Sequence, residues 1–161
     1  MTDPTIMNAL RGSQLASELS DHQMRTVADH LVFRDLQPGE VLVGEGTSDN
    51  HLYVIVSGAL GVVKNAGTDE EVTFFTLSAG DLAGELSFLD GTRHYASLVA
   101  IASTRVFGLE REKLESLLPA HPEIVYRVMR AIVRTVHQIQ RRLSMQSVEL
   151  TNYIYKQHGK Y

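Results

Sequence analysis

Cysteine is absent, and so is tryptophan. Without cysteine there is no disulfide framework, no thiolate metal site and no cysteine nucleophile. A reducing cytoplasm is the expected compartment. Nowhere do 18 apolar residues run together, so no membrane span is expected. Met1 to Ser20 lacks the positively charged start and apolar run of a secretory signal. The histidines His22, His30, His51, His94, His121, His137 and His158 form no His-x-His or His-x-x-x-His pair. Such closely spaced ligands are what a metal-binding β-barrel of the cupin kind needs. There is no Gly-x-Ser-x-Gly elbow and no Gly-x-x-x-x-Gly-Lys loop, which removes the serine-hydrolase and nucleotide-hydrolase signatures. No catalytic residue and no metal ligand is assigned, and no cofactor and no enzymatic activity are expected.

What is present is a chain of 161 residues, 43% apolar and 21% charged, enough for one globular core. Charge is unevenly placed. Residues 1–121 hold 17 Asp/Glu against 8 Lys/Arg, whereas residues 122–161 hold 2 against 7. A basic C-terminal segment can be a nucleic-acid arm, or it can lie against its own acidic domain. The second is the simpler expectation.

Residues 1–13 read as an N-terminal tail, frayed over 1–12. From Gln14 to Leu31 the apolar positions Leu15, Leu19, Met24, Val27, Ala28 and Leu31 have helical spacing, with Ser20 or Asp21 as cap of a second segment. Phe33 to Leu36 leads into the turn Gln37-Pro38-Gly39-Glu40. Short runs rich in β-branched and aromatic residues follow at 41–43, 51–56, 60–64, 71–77, 96–101 and 105–109, with glycine or polar residues between them. Thr68-Asp69-Glu70-Glu71 reads as a hairpin loop. Such spacing predicts a sandwich or barrel. Tyr53 and Phe75 are expected in its core.

After Leu109 the period changes. Arg111 to Leu118 predicts a short helix. Pro122 opens a long one, in which Val125, Val128, Met129, Ile132, Val136, Ile139 and Leu143 make one apolar stripe. That stripe is longer than one end of a small domain should need, and a parallel partner helix in a homodimer would cover the excess. A second stripe, Arg127, Arg130, Arg134, His137 and Arg141, reads as an ordinary exposed face. No aromatic residue interleaves with it, so base stacking has no support. The helix is expected to run on through Ser144 to Tyr155, with Tyr153, Ile154 and Tyr155 adding bulk at its end. The expected organisation is a tail (1–13), a β-domain with flanking helices (14–121), a long helix for dimerisation or as a lid (122–155) and a tail (156–161).

The stretch Gly80 to Ser97 stands out. It reads as strand, glycine, acid, half-turn of helix, polar loop and strand. A helix start caught between strands offers unpaired N–H groups to an anion. The ordered features Pro38-Gly39-Glu40, Glu45-Gly46, Leu52-Tyr53-Val54-Ile55, Ser57-Gly58, Gly80-Asp81, Gly84-Glu85-Leu86 and Ala96-Ser97 together resemble the cyclic nucleotide-binding domain family. That family includes the catabolite activator proteins and the regulatory subunits of cAMP-dependent kinase. The resemblance covers roughly residues 15–150. It implies a mainly β fold, an eight-stranded β-roll of jelly-roll type, with N-terminal helices and a long C-terminal helix.

By the same resemblance, Gly80–Ser97 is a phosphate-binding cassette. Glu85 would accept the ribose hydroxyl of cAMP or cGMP, and the backbone of Gly84, Glu85, Leu86 and Ser87 would face the cyclic phosphate. The family's arginine, nine or ten residues later, is missing. His94 stands there, with Arg93 before it, Tyr95 at a small-residue position and Ala96 opening the next strand. Histidine cannot make arginine's two-pronged bond. Losing one charge-assisted bond costs ~1.5–3 kcal/mol, or about one to two decades of affinity. Three readings stay open: a cyclic nucleotide held more weakly or through Arg93, another small anionic ligand in the same pocket, or an empty pocket. Aligning the long helix with that of the catabolite-activator members puts Gln146 and Ser147 near the base.

Transcription factors of the family continue into a helix-turn-helix domain. About twenty residues follow Leu143 here, so direct DNA reading is not expected. The reading is a stand-alone cytoplasmic sensor, dimeric through its last helix, that signals to an unidentified protein. The rival is a ligand-free dimeric scaffold.

Overall fold

The structure, a computed structural model, describes residues 3–158, apart from the side chains of Tyr155, Gln157 and His158. The expected bulk of Tyr155 and the end of the expected tail over 156–161 therefore lie outside what is described.

Among the described residues, eight strands form two four-stranded antiparallel sheets. The strands are β1 (Leu31–Leu36), β2 (Val41–Val43), β3 (His51–Ser57), β4 (Ala59–Lys64), β5 (Val72–Ser78), β6 (Leu82–Ala83), β7 (Ser97–Ala100) and β8 (Thr104–Glu110). One sheet has the order β1-β8-β3-β6 and the other β2-β7-β4-β5. This is the expected roll of eight strands with flanking helices.

Alternation along the strands builds two cores from one sheet. On β3, Tyr53 and Ile55 point between the sheets, while Leu52 and Val54 point outward to the helices. On β8, Val106 faces the inter-sheet side, and Phe107 and Leu109 face the helices. Both faces of these central strands are buried, so they read as nearly continuous apolar runs. Each fully buried side chain of this size contributes ~1.5–3 kcal/mol relative to exposure.

The helices α1 (Pro4–Arg11), α2 (Asp21–Ala28), α3 (Glu85–Asp90), α4 (Arg111–Glu115) and α5 (Pro122–His158), with a 3₁₀ turn at Gln14–Ser17, complete the fold. α1 corrects the expected frayed start. Asp3 caps it by accepting from the Thr5 N–H at 2.8 Å, Pro4 suits its first turn, and Met7 and Leu10 are buried. α2 begins at the expected Ser20, which forms a reciprocal capping box with Gln23. It stops at Ala28, so Leu31 belongs to β1 rather than to a helix. β1 is held at the sheet edge by β8, with Arg105 donating to both carboxylate oxygens of Asp35 at 2.7 and 3.0 Å.

The apolar stripe of α5 divides. Ile124, Val125, Val128, Ala131 and Ile132 are buried against the domain, whereas Leu143 is exposed. The basic stripe divides too. Arg134, Arg130 and Arg127 converge on Glu18 at 3.0, 3.2 and 3.6 Å, and the Glu18 side chain is only 3% exposed. The basic helix thus does lie on its own acidic domain. A buried carboxylate is costly unless paired, and three guanidinium groups compensate this one.

Candidate ligand-binding site

Sequence dictates the start of α3. Gly84 sits at its N-cap with φ +75°, a left-handed conformation that favours glycine. A Cβ there would lie 3.2 Å from the His51 carbonyl and 3.3 Å from the Tyr53 ring. No side chain caps the helix. The N–H groups of Glu85, Leu86 and Ser87 have no intrahelical partners, as at any helix start. They border a cavity of about 180 Å³ between the sheets' open end and α5.

Gly84, Glu85, Leu86 and Ser87 line one side of this cavity, and Arg93, His94, Tyr95 and Ala96 line the other. Gln146 and Ser147 do not reach it. Both are exposed, seven and eight residues beyond Ile139, the residue that α5 contributes to the cavity. At 1.5 Å rise per residue that is about 10–12 Å along the helix. Phe75, expected in the core, is half-buried and forms part of the cavity wall. Tyr53 is in the core as expected.

Glu85 is half-buried and makes no hydrogen bond or ion pair with any other described residue. Burial pushes its carboxyl above the usual glutamate range, with its own backbone N–H opposing. A carboxylate so placed has no donor but its own N–H. Tyr95 is 50% exposed. Its phenol is pushed up by burial first and then by the charge of Glu85. On the loop between, the Thr92 hydroxyl and N–H hold the Asp90 carboxyl below its usual range. Arg93 is exposed and has no hydrogen-bond or ion-pair partner among the described residues.

Asp49, which no local sequence signal marks, ties the two sides together. Its N–H donates to Ser87 Oγ at 2.7 Å, and Ser87 Oγ donates to its carbonyl at 2.6 Å. Asp49 Oδ2 accepts from the Tyr53 hydroxyl at 3.1 Å, and Oδ1 lies 3.4 Å from His94 Nε2. The hydroxyl of Ser87 is therefore already engaged, and what Ser87 offers the cavity is its backbone. His94 is pinned by its backbone as well. Its N–H donates to the Thr47 carbonyl at 2.7 Å, and its carbonyl accepts from the Gly46 N–H at 2.8 Å. Its side chain is 8% exposed, and Nε2 has no hydrogen-bond partner. Lys64 Nζ donates to the Tyr95 carbonyl at 3.2 Å and pairs with Glu45 at 3.0 Å.

At the far wall the Arg142 guanidinium stands 5.8 Å over the Phe75 ring. Beside it is a smaller cleft of about 30 Å³, which Gln14, Gln138 and Arg142 line. The arrangement offers an acceptor for hydroxyl groups, open N–H donors for an anion and apolar walls for a flat ring. Among the described residues no group of three or more His, Cys, Asp or Glu could hold a metal ion. No helix among them is long and apolar enough to cross a membrane.

The family model of the cyclic nucleotide-binding domain matches residues 33–121. The CRP-like cAMP-activated global transcriptional regulator of Mycobacterium tuberculosis is 26% identical over 110 residues, 68% of this chain and 49% of that protein. The chain thus spans about half the length of that curated relative. Among solved structures, a cyclic nucleotide-binding domain from Methylobacillus flagellatus superposes with a TM-score of 0.75 at 24% identity, covering 86% of this chain and 78% of that one. The regulatory subunit of a cAMP-independent protein kinase A from Trypanosoma brucei superposes with a TM-score of 0.67 at 25% identity, covering 86% and 50%.

Proposed function

Because the chain belongs to the cyclic nucleotide-binding domain family, we propose that it is a regulatory module that binds cAMP or a related small ligand in the cavity beside α3. The observation that carries this reading is Glu85. It is a half-buried carboxylate without a donor from any other described residue, beside open N–H groups and inside the matched segment. A ribose hydroxyl supplies the donor that Glu85 lacks, and the helix start receives the phosphate. The apolar wall from Phe75 to Ile139 takes the base.

The module has no chemistry of its own on this reading. Ile139 puts α5 in the cavity wall, so an occupant changes what that helix packs against. The helix passes this change to a partner protein, and its exposed far half pairs with a second copy of the chain. The cytoplasm is the compartment where such a ligand is met.

Calorimetry with cAMP and cGMP tests this. Binding by the intact chain should weaken by more than tenfold in Glu85→Ala, the loss of a charge-assisted bond costing ~1.5–3 kcal/mol. No heat with either nucleotide at millimolar concentration overturns the reading.

One observation favours a second reading, the ligand-free dimeric scaffold. His94, at the arginine position, is turned toward Asp49, and Tyr95 adds bulk beside it. A dimer that forms equally with and without nucleotide, and binds none, is what that reading predicts.

A further inference from the structure

Two anionic features bear on His94. Its Nε2 is buried, unbonded and 3.4 Å from an Asp49 carboxylate oxygen. His94 is also among the residues that line the cavity that would receive a negatively charged ligand. A neutral imidazole has one donor nitrogen and one acceptor nitrogen. With its proton on the cavity side, it turns a bare lone pair toward Asp49. With its proton on Nε2, it has only the Nδ1 lone pair to offer an anion. Only the imidazolium satisfies both, with one N–H on Asp49 and one on the ligand.

We propose that His94 is the anion-contacting residue of the cavity and acts only as imidazolium, so that the site takes up a proton together with its ligand. This rests on the reading above that the cavity binds a cyclic nucleotide or a similar phosphate ester. Arginine in this place would carry its charge at any physiological pH. Histidine makes the charge conditional, because an ordinary imidazole changes charge between about pH 5 and 8. Anions at both ends of a ring favour its charged form. Proton and ligand therefore assist each other, and by linkage the assistance is reciprocal.

The other charged and titratable groups around the ring do not give the same behaviour. Tyr53, which donates to Asp49 from β3, and Tyr95, next in the loop, are both pushed upward and remain neutral near pH 7. Lys64 on β4 is paired with Glu45 and bonded to the Tyr95 carbonyl. Arg93, on the same loop, is exposed. Glu85 on α3 titrates from the acid side, and its protonation removes the acceptor for the ligand's hydroxyl. It would weaken binding as pH falls, the opposite sign.

The test is calorimetry of the intact chain with cAMP from pH 6 to pH 8, each point in two buffers of different ionisation enthalpy. Affinity should fall with rising pH by up to about tenfold per unit, with between zero and one proton taken up per ligand. His94→Gln should bind more weakly and lose the pH dependence, and His94→Arg should bind at least as tightly as wild type at pH 6 with a flat profile. Glu85-dependent binding that is flat in pH and takes up no proton overturns the proposal while the nucleotide reading stands. Retention of the wild-type slope in His94→Gln overturns it too. Absence of binding of both cAMP and cGMP at pH 6 overturns both readings.

Discussion

α5 is one helix with two environments. From Pro122 to Ile139 it lies on the domain, its apolar stripe buried and its arginines gathered on Glu18. From Gln140 to Ile154 every side chain is exposed, including Leu143, Met145, Val148, Leu150, Tyr153 and Ile154. The three-four spacing runs through both halves, so spacing alone does not say what a stripe meets. The first half finds its partner within the chain. The second keeps a narrow seam, Leu143, Leu150 and Ile154, of the kind that pairs helix with helix. The cavity sits where the two halves meet, at Ile139.

Two truncations, one in each half, should differ most. Ile132→Ala, at a fully buried position, should cost about 2–5 kcal/mol in urea unfolding. Leu150→Ala should cost under ~0.5 kcal/mol within the monomer and should instead weaken self-association in sedimentation. Equal losses at both sites in dilute protein would erase the distinction between the halves. A smaller effect is expected from Glu18→Gln, about 1–3 kcal/mol of stability. Glutamine leaves three arginines without their shared anion, but those arginines stay half-exposed to water. If Glu18→Gln has no effect, the proximal half is held by its apolar face alone.

The smallest effect belongs to the boundary itself. The folded-state carboxyl of Glu85 is raised by burial. The folded protein therefore holds that proton more tightly than the unfolded chain. Its ionisation costs stability, with the cost absent below the ordinary glutamate range, growing through it and complete above the raised value. Glu85→Gln should melt higher than the unliganded wild type at pH 7, by about 2–4 °C for each kcal/mol removed. The gap should close near pH 4. A lower melting point for Glu85→Gln at pH 7 would mean that the carboxylate is structural rather than held for a ligand.

Much of the roll was legible because its central strands carry their own signal. His51–Ser57 and Thr104–Glu110 are apolar and β-branched, and glycine or polar residues bound them. β1 was not, because Arg34 and Asp35 interrupt its apolar pattern, and its place depends on pairing with β8 seventy residues away. β6, two residues long, has no period to detect. α1 carries a local signal in its Asp3-Pro4 start, a cap followed by a first-turn proline.

At the site, Gly84 to Ser87 and Arg93 to Ala96 stand out in the sequence, and the structure gathers them around one cavity. Asp49 was missed because nothing near it in sequence marks it. Its partners Ser87 and His94 come from 38 and 45 positions further on. Gln146 and Ser147 lie past Arg142, the last residue of α5 that reaches the cavity wall, and are exposed.

Three hydrogen bonds of Gln14 join distant parts of the chain. Gln14 Oε1 accepts from the Thr135 hydroxyl at 2.5 Å, Gln14 Nε2 donates to Asp81 at 3.2 Å, and its N–H donates to the Gly80 carbonyl at 3.0 Å. The partners stand 121 and 67 positions later in the chain. One glutamine side chain thus ties together three segments that are far apart in sequence. Closing so long a loop is entropically expensive and slow to reward. The hydrogen bonds of Gln14 are complete only when Gly80, Asp81 and Thr135 of α5 are all in place, so the 3₁₀ turn and the seated helix support each other.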